Sequence, residues 1–590
     1  MRTLYGIRRL HLTDGNTVEP PLNGMTIFTG PNNSGKSVML RELVTSIYNY
    51  PNVQEPERWI NQVELHRDGD ANEFLEWIAG RGFSARYHEV SKRFLLPARH
   101  SMTDENGPSA DQVEALWGRG EYGAIGHFLV NDQWTESRLS DQTTSVQWDW
   151  KLPANHPSQV LWESPEALAG FSGLFERAFG KKIAINRYQH SIRLQVGETK
   201  IPDTPPPPPQ KLMEDYASLP YVSEQGDGMR AFVNLILHTL VRPAPVIVID
   251  EPEAFLHPPQ ARLLARYLTQ YVPAPCQVFV ATHSSDFLAG AMEGNAVSPG
   301  RSGSARSLSL VRIDRSKGKS SSRMLAPERV REILDTPLLR YSNIISGIFH
   351  DGVILCESEG DCHFYAATSD FMQGDSPNAN LIYLHVNGKV RLGDSVAKLR
   401  ACGIPAVAIA DLDFLNDARN VEKAVRALGG TWEDIRDDVQ AVNRHASSEV
   451  ITKPAFEIKQ EIIQAIGNPR GRETLAQDQI ARISESLKKA NGWKHIKGSG
   501  VRALGSQYAT AQKVLTYLAN LGFFLVPEGE LECWVREVPS GNKSAWLTRV
   551  FEDGFHERPN TDLQNFLASV LSYLSQWGAP TEQPDGEVSA

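Results

Sequence analysis

The sequence predicts an α/β chain built from more than one domain, and three observations carry that expectation. Its 590 residues exceed what a single hydrophobic core organises. The runs VIVID at 246–250 and VFVAT at 278–282 are short, β-branched and apolar at almost every position, the pattern of strands buried on both faces of a parallel sheet. Beyond Asp351 a second α/β pattern begins: GVILCE, a helix from Asp361, LIYLHVNG, a helix through Val396 to Arg400, and AVAIADLD.

Composition narrows the class. Hydrophobic residues at 41% and charged residues at 22% are the mix of a water-soluble globular chain, and no apolar run approaches the ~20 residues that span a bilayer. The opening MRTLYGIRRLHLTDG lacks the apolar stretch and small-residue cleavage site of a secretory signal, so a cytoplasmic location without membrane contact is expected. Five scattered cysteines without CxxC spacing argue against a disulfide framework or a zinc site and read as buried thiols. Net charge is −10, so any nucleic-acid contact must come from local basic patches. Two are present: Lys488, Lys489, Lys494, Lys497 and Arg502 around Trp493, and Arg312, Arg315, Lys317, Lys319 and Arg323. Solvated faces are the default reading of both, and Trp493 would suit a base or sugar face.

Residues 1–335 form the expected first domain, interrupted by an insertion at about 50–215 that closes on the stiff connection IPDTPPPPPQ. Ser298 to Arg323 reads as an exposed loop and hairpin around one short strand. A second domain is expected over 345–578, with amphipathic helices inserted at about 440–520, and residues 579–590 as a disordered tail.

The first chemical signal is GPNNSGKS, Gly30, Pro31, Asn32, Asn33, Ser34, Gly35, Lys36 and Ser37, between the apolar strand Met25 to Phe28 and the helical VMLRELVTSI. In that context the loop is a Walker A phosphate cradle: backbone N–H groups hold phosphates, Lys36 reaches the β and γ oxygens, and Ser37 takes Mg²⁺. VIVIDEPEAFLHP supplies acids at the carboxyl end of a buried strand, Asp250 for Mg²⁺ and Glu251 to orient the attacking water. The next strand ends at His283, placed to sense the γ-phosphate. This set resembles the ABC ATPases of DNA repair and chromosome maintenance. The resemblance implies a signature segment ahead of the second acidic strand, and SEQGDGMRAFVNLILHTL offers Ser223, Gly226 and Gly228 at a helix start. In such families the signature contacts ATP held by a second chain, so a homodimer or higher homo-oligomer through the ATPase heads is implied.

The second signal is acidic. GVILCESEGD ends a strand at Glu357 and starts a helix at Asp361, and AVAIADLD ends another with Asp411 and Asp413. Residues i and i+2 of a strand project to one side, so the two aspartates are expected on one face with Glu357 beside them. Clustered carboxylates repel, and a divalent cation removes the conflict. The pattern resembles a Toprim domain, with Asn387 and Gly388 as its glycine-bearing turn and Ser358 where that domain usually has glycine.

A P-loop ATPase followed by Toprim resembles the overcoming-lysogenization-defect (OLD) family of nucleases. That resemblance implies a late acidic motif, matched by PEGELECW: Glu532, or Glu530, for a second metal, with Lys543 or Lys497 as the completing cation. It further implies ATP with Mg²⁺, Mg²⁺ or Mn²⁺ at the Toprim acids including Asp361, a DNA substrate, and a setting in anti-phage defence with a partner protein or RNA. Two rival readings stay open: an ATP-driven DNA clamp that does not cut, and an effector silent until a partner releases it.

Overall fold

The structure is a computed structural model describing residues 5–50, 59–81, 107–140, 143–146, 151, 153–154, 156–241, 243–296, 307–316, 319–335, 344–374, 380–386, 388–448, 455–467, 474–487, 492–539 and 543–577. The chain divides into two compact units, Met1–Leu334 and Asp335–Ala590.

In the first unit five parallel strands lie in the order Ser307–Ser316, Gly24–Thr29, Gln277–Ala281, Val246–Asp250, Val130–Gln133, and Lys319–Leu325 adds an antiparallel edge. Every residue of Gly24–Thr29, Val246–Asp250 and Gln277–Ala281 is buried, as a sheet covered on both faces requires. A second, antiparallel sheet orders Thr17–Val18, Tyr5–Leu12 and Ile60–Arg67. Buried Gln277 joins the two sheets: Ile7 N–H donates to its Oε1 at 2.6 Å, and its Nε2 donates to Ile7 O at 2.8 Å. A buried amide thus receives the hydrogen bonds without which it would be costly.

Two expectations need correction here. The segment 50–215 is not one insertion, because Val130–Gln133 pairs with Val246–Asp250 and Ile60–Arg67 pairs with Tyr5–Leu12. Phe74 and Trp117, stacked at 4.1 Å, share a core with Met39 and Leu40 of the helix after the phosphate loop. Of the loop and hairpin expected at Ser298 to Arg323, the hairpin is present as Ser307–Ser316 paired with Lys319–Leu325, and its first strand is not peripheral but pairs with Gly24–Thr29 in the central sheet. Asn387, Lys317, Lys488, Lys489 and the tail 579–590 lie outside the described residues.

The second unit holds four parallel strands in the order Leu381–His385, Gly352–Cys356, Ala406–Ala410, Phe523–Leu525. Between the last two run the helices Ala418–Ala427, Arg436–Ser448, Ala455–Ile466, Gln477–Leu487, Gly492–Ser499 and Tyr508–Asn520. All five cysteines are buried. Among the described residues no helix is long and apolar enough to cross a membrane.

The helices Pro258–Tyr271 and Ser285–Ala296 flank the strand Gln277–Ala281 in sequence and touch through glycine. A Cβ on Gly290 would stand 2.1 Å from Arg262 O, which is backbone and cannot rotate away. Gly290→Val should therefore lower the stability of this unit by about 1–3 kcal/mol. Urea or thermal unfolding of the full chain checks this, and an unshifted first transition would contradict the close approach.

Candidate functional site

The phosphate loop is shaped by its glycines. Gly30 has φ +147° and a Cβ there would meet Ile313 O at 2.0 Å, so no side chain fits. The helix Lys36–Asn49 then begins without a side-chain cap and with no acid in its first turn, which leaves its N–H groups and positive dipole end for an anion. Lys36 Nζ folds back on its own loop, donating to Gly30 O at 3.0 Å and Pro31 O at 2.8 Å. Burial pulls its ammonium below the ordinary lysine range, while Glu251, Glu253 and Asp250 oppose the shift. Ser37 Oγ donates to Asp250 Oδ1 at 2.8 Å, so hydroxyl and carboxylate already stand together as a Mg²⁺ pair would.

Glu251 follows the strand Val246–Asp250 in a left-handed turn, φ +45°, that costs a non-glycine residue on the order of 1 kcal/mol. His283 Nδ1 lies 3.3 Å from Glu251 Oε1, and this hydrogen bond holds the Glu251 carboxyl low and the imidazole high. His283 is thus an ionic partner of Glu251. The sequence reading missed Glu253, which is buried, accepts from Thr282 Oγ1 at 2.7 Å and His283 N–H at 3.0 Å, and is pushed up by burial. It also missed the buried Arg138 beneath this turn.

Ser223 lies in the turn Val222–Glu224, and Gly226 sits at the exposed N-terminal position of the helix Asp227–Ile236. Gly228 packs close, a Cβ there meeting Phe255 O at 2.7 Å.

In the second unit one oxygen each of Glu357, Asp411 and Asp413 all lie within 4.8 Å of one another. The predicted juxtaposition is there, but its stated cause is not. The strand ends at Ala410, and Asp411 heads the 3₁₀ turn Leu412–Asn416, so a turn rather than strand alternation presents both aspartates. Asp411 N–H donates to Glu357 Oε1 at 3.1 Å. Burial, then the neighbouring Asp411, pushes Glu357 up to about 7, and burial pushes Asp411 up to about 6 against the pull of Lys497. Such protonation-prone, converging oxygens fit a hard divalent cation.

Two lysines reach these acids. Lys497 Nζ stands 3.1 Å from Asp411, 3.9 Å from Asp413 and 3.3 Å from Glu530, and despite burial these acids hold its ammonium well above the usual range. Lys389 Nζ, which sequence reasoning passed over, is 2.8 Å from Asp413 Oδ1. Its only signal is its place after Gly388. The Lys497 segment is seated by Gly529, φ +114°, where a Cβ would meet Lys497 O at 2.0 Å.

The other candidates lie outside the three-carboxylate set. Asp361 accepts from Ser358 N–H at 2.9 Å as a helix cap and pairs with Lys543 at 2.7 Å, so a structural role already occupies it. Glu530 engages Lys497, and Glu532, in the turn Leu531–Trp534, is raised by burial. Glu530 and Glu532 are not in the three-carboxylate set. Trp493 is 3% exposed and donates to Asn443 Oδ1 at 3.1 Å, so it is a core residue and presents no stacking face.

Residues 68–289 match the family described as "AAA domain, putative AbiEii toxin, Type IV TA system". The parallel sheet, the phosphate loop and this match together support a P-loop ATPase fold for the first unit. At 25% identity over 179 residues the chain is similar to Old nuclease of Escherichia phage P2, an alignment that spans 29% of this chain and 28% of that protein's own length. Among solved structures, an SMC head bound to the C-terminal winged-helix domain of ScpA aligns over 55% of this chain and 99% of its own, at 13% identity and TM-score 0.32. An SMC head domain from Thermotoga maritima gives 54% and 99%, 13% and 0.28.

The raised carboxyls set a pH signature. A carboxyl near 7 in the folded chain binds protons more readily than in the unfolded chain, so without a cation stability falls as pH rises from ordinary carboxylate values through 7. A cation binds the ionised form. Without nucleotide, the thermal shift given by Mg²⁺ or Mn²⁺ should be small near about pH 5.5 and full near about pH 8. Equal shifts at both, or a full shift retained in Asp411→Asn with Asp413→Asn, would contradict the site.

Proposed function

We propose that this chain is an ATP-hydrolysing, metal-dependent DNA endonuclease of the OLD type. The observation that carries the reading is the cluster of Glu357, Asp411 and Asp413 at the carboxyl ends of a second parallel sheet, on a chain whose first unit is a P-loop ATPase. Four parallel strands bearing acids at their carboxyl edge support a Toprim assignment for residues 345–578. In the first unit the loop Gly30–Ser37 binds the phosphates, Ser37 and Asp250 hold Mg²⁺, Glu251 orients the attacking water, and His283 fixes Glu251 near the γ-phosphate. Ser223, Gly226 and Gly228 reach the nucleotide of a second chain, so the active species is a homodimer or larger. The exposed N-terminus of their helix supports this role.

In the second unit Glu357, Asp411 and Asp413 hold Mg²⁺ or Mn²⁺, with Glu530 or Glu532 for a second ion. Bound there, such ions would supply an activated water and neutralise the scissile phosphate. Lys497, Lys543 and Lys389 provide positive charge for the DNA backbone. The reading carries with it a role in phage defence, in the cytoplasm.

One observation favours a second reading. Lys497 and Lys389 pair with the very aspartates a metal would use. In a partner-silenced effector those ion pairs persist until a protein or RNA partner draws the lysines away.

Supercoiled plasmid incubated with Mg²⁺, Mn²⁺ or Ca²⁺, with and without ATP, separates the readings. Asp411→Ala with Asp413→Ala should abolish nicking and linearisation and leave ATP turnover intact. A double mutant cutting at the wild-type rate would remove the nuclease assignment, and no cutting by the wild type under any condition would favour the silenced effector. In the other unit, Lys36→Ala should lose nucleotide binding, whereas Glu251→Gln should bind ATP and lower turnover by about 100-fold or more. Wild-type turnover in Glu251→Gln would refute its role.

A further inference from the structure

Beneath the Glu251 turn lies a cation that neither the phosphate loop nor the nuclease reading uses. Arg138, in the short 3₁₀ turn Ser137–Leu139, has no exposed surface. Its Nη2 donates to Asp250 O at 2.7 Å and to Glu251 O at 2.8 Å, and it meets Thr135 Oγ1 at 2.7 Å. Thr135 Oγ1 in turn donates to Asp250 O at 3.1 Å.

Those two carbonyls belong to the peptide planes on either side of the Glu251 Cα. Fixing both planes fixes φ and ψ of Glu251, and with them the direction in which its side chain leaves the backbone. Glu251 has φ +45°, a conformation its own chemistry disfavours, so something outside it must impose it. His283 steadies the carboxylate end at 3.3 Å, and Arg138 steadies the main-chain end. All three contacts fall on Nη2, whose two N–H groups are shared among the two carbonyls and the Thr135 hydroxyl.

The turn that carries Arg138 is itself held by the helix Asp227–Ile236. Asn234 Nδ2 donates to Arg138 O at 2.6 Å and to Ser140 O at 3.1 Å, and Arg230 Nη2 donates to Leu139 O. A continuous run of hydrogen bonds therefore links the helix that starts beside Gly226 to the main chain of Glu251.

We propose that Arg138 is a positioning residue for ATP hydrolysis, locking the Glu251 turn and, through Asn234 and Arg230, coupling it to the helix headed by Ser223–Gly228. The inference rests on Glu251 being the residue that orients water. It goes further by naming what sets its geometry and what that geometry responds to. Contact of a second chain's nucleotide with the helix start would then be felt at Glu251 through side chains that touch no nucleotide.

The test uses the full chain, steady-state ATP turnover and binding of a fluorescent ATP analogue, with a melting curve for every variant. Arg138→Met should bind the analogue within about threefold of wild type, lose kcat by about tenfold or more, and shift KM by less than about threefold. Arg138→Lys should recover part of the lost kcat. Asn234→Ala should lower kcat to an intermediate level with binding kept. Should Arg138→Met fail to fold, Arg138→Lys decides: a lower kcat at unchanged KM and melting supports the inference, and wild-type kcat overturns it. Losses of binding, turnover and melting that run in parallel in both variants would assign Arg138 to folding alone and overturn it too. Glu251→Gln is the control. Full turnover there overturns the reading beneath the inference, whereas wild-type turnover in Arg138→Met beside an inactive Glu251→Gln overturns the inference alone.

Discussion

Carboxylates gathered at the carboxyl end of a parallel sheet cannot all stay ionised unless positive charge stands close to them. Parallel topology brings them there, because every strand ends on the same edge. In the first unit Asp250, Glu251 and Glu253 follow one strand, with Lys36, Arg138 and His283 around them. In the second, Glu357 and Asp411 follow neighbouring strands and Asp413 joins them, with Lys389 and Lys497 around them. Each site is an acidic strand edge with its own set of compensating cations.

The two sites solve the charge problem differently, and the difference bears on chemistry. Around Asp250 the compensation is built into the fold: Arg138 has no exposed surface, and burial lowers its guanidinium to about 10, still charged at neutral pH. It can act as a permanent part of the scaffold. Around Asp411 the cations sit on long side chains that are about a third exposed, Lys497 at 33% and Lys389 at 29%, so an incoming ion or phosphate can displace them. A fixed cation suits a site whose geometry must be held through each turnover. Displaceable cations suit a site that exchanges ligands.

Legibility in the sequence followed how locally each feature is encoded. The phosphate loop is eight contiguous residues between a strand and a helix, and the acids at 250, 251, 357 and 411 each follow an apolar strand; all these were readable. The strand Val130–Gln133 was not, because VNDQ is polar and looks like loop, yet it completes the central sheet beside Val246–Asp250. Missing it, and the strand Ile60–Arg67 that pairs with Tyr5–Leu12, made a single insertion out of residues that belong to the ATPase core. Arg138 carries no local signal at all: in SRLSDQ it is indistinguishable from a surface arginine, and only the tertiary fold puts it under Glu251. Trp493 misled for the converse reason, since an aromatic among lysines fits a nucleic-acid face as well as a buried anchor, and here it is the anchor. The aspartates at 411 and 413 were brought together for a wrong reason, since they lie at the turn after the strand and not on it, yet their oxygens converge there.

On the proposed function the chain holds two cation sites, one completed by nucleotide and one complete without it. Titrating the protein with Mn²⁺ and counting free ion by electron paramagnetic resonance, with and without a non-hydrolysable ATP analogue, addresses that claim directly. The account predicts a nucleotide-independent class of sites that disappears in Asp411→Ala with Asp413→Ala. It predicts a further class that appears only with the analogue and is lost in Lys36→Ala. A single class of site, present only with nucleotide and untouched by the Asp411 and Asp413 replacements, would contradict it.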